Sequence, residues 1–168
     1  MVTLPIEECP AYFEMYLRLV DEDVLQGLNK QLDDHTAFVK SIPHAKELFR
    51  YAPEKWTVKE VLGHITDTER VMFNRAFCFA RNDKSPIPGF DEDAYVAETN
   101  FNDRTLGDLL EEFVLLRKSV IYFYKTLRPD DLKRIGTASG KNVSSRALFY
   151  FIQGHLQHHV NVLKERYL

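Results

Sequence analysis

The segment Gly154-His155-Leu156-Gln157-His158-His159 carries three of the six histidines in the chain. His155 and His159 are four residues apart. On a helix that spacing puts two imidazoles on one face, one turn apart, as a two-pronged clamp for a metal ion. At about 100° per residue, His159 falls about 20° from the centre of the local apolar face and His155 about 60° from it. His158 falls about 120° away, at the edge or in solvent. A third histidine, His64, lies about 100° from the centre of its own helix's apolar stripe, a flank position that faces a neighbouring helix. Three protein nitrogens plus an open position for water is the catalytic pattern of zinc, and imidazole suits other divalent metals as well. The donor set therefore fits Zn or Ni first, then Fe or Mn. The alternative is three histidines bonded to buried polar groups in a core.

Competing signatures fail. Leu156 follows His155, so the glutamate of a HExxH motif is missing. A di-iron bundle needs Glu-x-x-His twice, and Glu60 stands four residues before His64 without a repeat. Cys78 lies 14 residues beyond His64, about 21 Å along a helix, and Cys9 lies at the start of the first helix. His35 follows the first helical segment and His44 sits in a loop, so both are expected at the surface.

Four segments of helical periodicity must position these groups. The first runs from about Pro10 to Asp33, with Phe13, Leu17, Val20, Val24 and Leu28 on one face. The second starts after Trp56 with Thr57-Val58-Lys59-Glu60, the pattern of a capping box, and ends near Arg81. The third runs from Thr105 to Pro129, and the fourth from Asn142–Ser145 to the C-terminus. Each spans roughly 22–25 residues, about 35 Å. Matched lengths with one apolar face each point to an all-α four-helix bundle, and strand signals are weak. Residues 34–56 and 82–104 are long connections, and the turn-rich run from Ser85 to Asp93 is a candidate lid.

Length and composition bound the function. The 168 residues suit a single domain, 1–168, able to bury a sizeable core. Net charge is −3, from 22 basic and 25 acidic residues, so no basic excess favours nucleic acid. Two cysteines make no disulfide framework and suit a reducing compartment. Met1–Glu8 lacks a basic start and an apolar run, and no stretch approaches a membrane span. A cytoplasmic protein with no membrane partner is expected.

The run Tyr51-Ala52-Pro53-Glu54-Lys55-Trp56-Thr57-Val58-Lys59-Glu60-Val61-Leu62-Gly63-His64 through Arg70 resembles the first signature of the DinB/YfiT-like proteins. Gly154 to Leu163 resembles the second, and Pro88-Gly89-Phe90-Asp91 extends the similarity through the intervening loop. The resemblance implies a four-helix bundle of variant up-and-down topology and a divalent metal held by His64, His155 and His159. That set agrees with the helical-wheel positions, which exclude His158. The resemblance further implies a metal-dependent hydrolase, or a transferase using a low-molecular-weight thiol, acting on a small-molecule substrate, and a homodimer.

Within a metalloenzyme reading, Asp67 is a candidate base or orienting residue one turn beyond His64, although its wheel position faces outward. Asp91 on the lid loop is a second candidate base, and Trp56 and Tyr95 are candidate pocket residues. Glu69 and Arg117 fall on the apolar stripes near the midpoints of their helices, and are expected to form a buried or half-buried ion pair. The competing readings are a non-catalytic bundle whose histidines bind metal for stability or bind nothing, and a dimeric interaction module.

Overall fold

The fold is that of a computed structural model, which describes residues 2–20 and 23–168. Four long helices make the bundle: α2 (Val24–Ser41), α3 (Val58–Ala80), α5 (Leu106–Lys125) and α7 (Ser145–Arg166). Short helical pieces decorate it: α1 (Glu14–Leu17), α4 (Glu92–Ala97) and α6 (Pro129–Leu132). A hairpin of β1 (Ile135–Ala138) and β2 (Lys141–Ser144) leads directly into α7. No helix among the described residues is long and apolar enough to cross a membrane.

Around the bundle, α3 packs most extensively on α7 and α2 on α5, while α3–α5 and α2–α7 contacts close the ring. Helices consecutive in sequence, α2 with α3 and α5 with α7, are therefore diagonal rather than adjacent. Residues 42–57 and 126–144 cross these diagonals, while the longest connection, 81–105, joins the adjacent α3 and α5. This is the variant topology that the family resemblance implies.

Side chains start each long helix. Thr57 and Glu60 form the expected capping box at α3: the Glu60 amide donates to Thr57 Oγ1 at 3.1 Å, and the Thr57 amide to Glu60 Oε2 at 2.7 Å. Thr105 caps α5, Ser144 caps α7 and Asp23 caps α2 through the amides three residues on.

Three expectations change. The first segment is not one helix from Pro10 to Asp33. Helical turns over residues 11–17 and α2 are separate, because the Asp23 carboxylate accepts from the Gln26 amide and begins a new helix there. Val20 is the last described residue before Asp21 and Glu22, which lie outside the described residues. Helix α2 then continues past Asp33 to Ser41 and stops where Ile42, preceding Pro43, turns extended. His35 consequently lies inside the helix, on the Val24–Leu28–His35–Val39 stripe, and is 4% exposed rather than at the surface. The all-α expectation also omits the hairpin. Its turn, Ser139-Gly140, has φ of +53° and +70°, the left-handed pair that lets two residues connect antiparallel strands. Ile87 pairs with this hairpin through Thr137 O and the Ser139 amide at 2.9 and 3.0 Å. The 85–93 loop is thus fastened down at its centre.

The core has two large apolar clusters, one around Phe13, Leu28, Met72, Phe79 and Leu148, the other around Val39, Ile65, Phe113, Leu156 and Leu163, and a small third one of Val96, Phe101 and Leu109. A buried polar chain crosses the bundle, with one residue from each long helix. Glu69 of α3 accepts two hydrogen bonds from Arg117 of α5, Arg117 donates to Gln31 Oε1 of α2 at 3.1 Å, and Gln31 donates to Gln153 O of α7 at 2.9 Å. The expected Glu69–Arg117 pair is present and fully buried.

Candidate metal centre

The strongest helix–helix contact in the molecule, α3 on α7, brings the three histidines together. His155 Nε2 stands 3.1 Å from His64 Nε2 and 3.1 Å from His159 Nε2, and one nitrogen of each ring lies within 4.8 Å of the others. Among the described residues this is the one cluster of three or more side chains so placed for a metal ion. His64 and His155 are buried and His159 is partly exposed at the mouth.

Two glycines let other segments pack against these helices beside the histidines. A Cβ on Gly63, just before His64, would overlap the Phe101 ring. A Cβ on Gly154, just before His155, would overlap the backbone carbonyl of Tyr16. The Gly154-His155 step therefore lets the Tyr16 segment close beside His155. Tyr16 lies 5.8 Å from His155, ring to ring, Phe151 stacks on His155 at 5.5 Å, and Trp56 covers His64 at 4.5 Å. Thr68 Oγ1 is 3.5 Å from His64 Nδ1.

Burial sets the electrostatics. Loss of solvation pushes His64 down to about 4 and His159 down to about 3, the latter aided by His64 and His158. Burial, then the neighbouring His159, His64 and His158, hold His155 well below the ordinary imidazole range. All three are neutral at pH 7, the form that ligates metals. Neutral nitrogens 3.1 Å apart cannot all be satisfied by one another's single protons, whereas a cation among them would use the free lone pairs. Bonds of about 2.0–2.1 Å to a tetrahedral ion would set nitrogens roughly 3.3 Å apart, close to the two separations seen. The residues present fit a divalent metal.

The histidines open on a cleft of about 410 Å³. Besides the triad its lining includes Tyr16, Trp56, Thr68, Arg75, Phe90, Glu92 and Phe151. Trp56 is where the sequence places it, and Tyr95 packs on Phe90 outside that lining. Asp67 and Asp91 do not line the cleft. Asp67 accepts from Arg70 at 2.7 Å, and desolvation raises its carboxyl. Asp91 accepts from the Ala94 amide at 3.0 Å and caps α4. His158 sits half-buried on the cleft lining, its ring 5.0 Å from that of His159, without joining the nitrogen cluster, and His44 is exposed on Glu47. Cys9 is buried in the core and Cys78 is half-buried, and neither joins the histidines.

Sequence reasoning missed Arg75, Glu92, Tyr16 and Phe151. Arg75 was accessible to it: eleven residues after His64 is about 20° around the helix, the same face. Tyr16 carried no such signal, because its place depends on packing over Gly154.

Residues 28–163 match the family model of the DinB superfamily. The chain belongs to the DinB superfamily. As a DinB-superfamily chain it shares its fold with YfiT from Bacillus subtilis, described as a probable metal-dependent hydrolase with an unusual four-helix bundle topology. The two superpose with a TM-score of 0.74 over 97% of this chain and 90% of YfiT, at 17% identity. No curated protein matches this DinB-superfamily chain significantly in sequence.

Proposed function

We propose that this chain is a metal-dependent hydrolase of a small molecule, its divalent ion held by Nε2 of His64, His155 and His159. The convergence of those three neutral nitrogens, at 3.1 Å steps in a buried wall of an open cleft, carries the reading. YfiT's description as a probable metal-dependent hydrolase supports it. When bound, the metal supplies Lewis acidity, lowering the pKa of water toward about 7 and polarising a carbonyl.

The remaining steps belong to this chain's side chains. Trp56 and Phe151 fix the planes of His64 and His155 and exclude bulk water on their covered sides. Thr68 orients His64 through Nδ1. Glu92, the one carboxylate among the described residues that line the cleft, would serve as the general base for water and return the proton to the leaving group.

Protein purified without a histidine tag should carry one divalent ion per chain by elemental analysis, and His155→Ala should carry none. Ester and lactone substrates should then be turned over, with Glu92→Gln losing roughly 10²–10⁴-fold in kcat while keeping its metal. Absence of stoichiometric metal after reconstitution overturns the metal centre. Retained metal with turnover only in the presence of a low-molecular-weight thiol replaces hydrolysis by thiol transfer.

A further inference from the structure

Arg75 is the second buried arginine in the molecule, and its surroundings differ from those of the first. Arg117 is neutralised by Glu69 at 2.7 Å. Arg75 is 3% exposed, and among the described residues no carboxylate pairs with it. Its Nη2 donates to Pro88 O at 2.9 Å and to Ser139 Oγ at 3.2 Å, and its Nη1 contacts Met72 Sδ at 3.6 Å. These use three of the five N–H donors of a guanidinium. Nε is buried with no partner among the described residues. An unpaired buried cation with an orphaned donor is costly, so a fold that keeps one has a ligand to match it.

The structure aims this group deliberately. His64, Thr68, Met72 and Arg75 form one stripe along α3, and all four line the cleft. The guanidinium lies against Met72 Sδ. The loop carbonyl of Pro88 and the hydroxyl of Ser139, in the hairpin turn, hold it from the other side. Phe90, 5.7 Å from Cζ, provides an aromatic face beside it. Met72, which the guanidinium contacts, lies eight residues beyond His64, about 12 Å of helix rise, so the arginine and the histidines stand at separate places along the cleft.

We propose that Arg75 is an oxyanion subsite: the cleft takes an elongated organic acid or phosphate ester whose anionic group pairs with Arg75 while its reacting bond lies at the histidines. The position of the reacting bond rests on the hydrolase reading above. The anion subsite does not. Phe90 and Phe151 receive the apolar body between the two ends. Acids too short to bridge that span, such as acetate, occupy only one end and are poor substrates.

The test is binding to metal-free protein by calorimetry, so that loss of the metal centre and loss of the subsite are read separately. The probes are 4-phenylbutyrate, phenethyl phosphate and the neutral 4-phenylbutyramide. At least one anion should bind the wild type about ten- to a hundred-fold tighter than the amide, the worth of a charge-assisted hydrogen bond. Which anion wins distinguishes a carboxylate from a phosphate substrate. Arg75→Gln should abolish that preference, and Arg75→Lys should restore part of it. Competition by inorganic phosphate against the bound anion in the wild type gives the same answer without a variant, should Arg75→Gln fail to fold. Equal binding of anion and amide, an unchanged preference in a folded Arg75→Gln, or no binding of either anion at millimolar concentration overturns the subsite.

Discussion

Arg117 meets Glu69 fork to fork, Nε to Oε1 and Nη2 to Oε2, both at 2.7 Å and both out of contact with solvent. Removing one member leaves the other as a bare charge at the centre of the bundle. Glu69→Gln or Arg117→Met should each cost about 3–5 kcal/mol in urea unfolding. The double replacement Glu69→Leu with Arg117→Met should recover most of that loss, because no charge is stranded. Single variants that cost no more than the double would show that the pair is not coupled.

Gly154→Ala should destabilise the protein by about 1–3 kcal/mol, because the added methyl meets the Tyr16 carbonyl and not a side chain that can turn aside. Gly63→Ala, whose obstacle is the Phe101 ring, should cost less. Thermal unfolding of both variants checks the order.

His35 makes the fold sensitive to acid. Burial pushes this imidazole down to about 3, with Arg117 adding to the effect. In the unfolded chain it protonates near 6.5. Between those values the unfolded state holds the extra proton, so stability is full above about pH 6.5 and falls as the pH drops toward 3. This one group should remove about 2 kcal/mol between pH 7 and pH 5. His35→Leu should flatten the acid limb of the stability curve by that amount; a wild-type slope in the variant would assign the sensitivity elsewhere.

Saturating chelator should lower the melting temperature of metal-loaded protein. Binding at a hundred times Kd stabilises the native state by about 2.7 kcal/mol, which corresponds to roughly 5–10 °C for a chain of this size. His155→Ala should melt at the same temperature with and without chelator. Scanning calorimetry on both checks the pair.

What could be read from the sequence was what depends on local spacing. Thr57 and Glu60 announce the start of α3, and His155 and His159 sit one turn apart wherever a helix carries them. Glu69 and Arg117 were legible as charges on apolar stripes, but Gln31 and Gln153, which extend the chain across the bundle, look like ordinary surface amides. His35 was misplaced because Asp33-Asp34 offers no stop signal that Pro43 does not supply better, nine residues later. The hairpin was missed because four-residue strands containing Gly136 and Thr137 barely register against helical periodicity. Its Ser139-Gly140 turn was the available clue. Tyr16 reaches the site only through tertiary packing over Gly154, which no spacing rule describes.

The cleft has a floor and a roof of different character. The histidines and Arg75 stand on two of the four bundle helices, whereas Tyr16, Phe90, Glu92 and Ser139 come from brief segments joined to the bundle at a few points. Grafting residues 87–92 or the 139–140 turn from another protein of this architecture should therefore retune what the cleft admits without disturbing the nitrogen cluster beneath, which makes these segments the natural place to redirect the protein toward new chemistry.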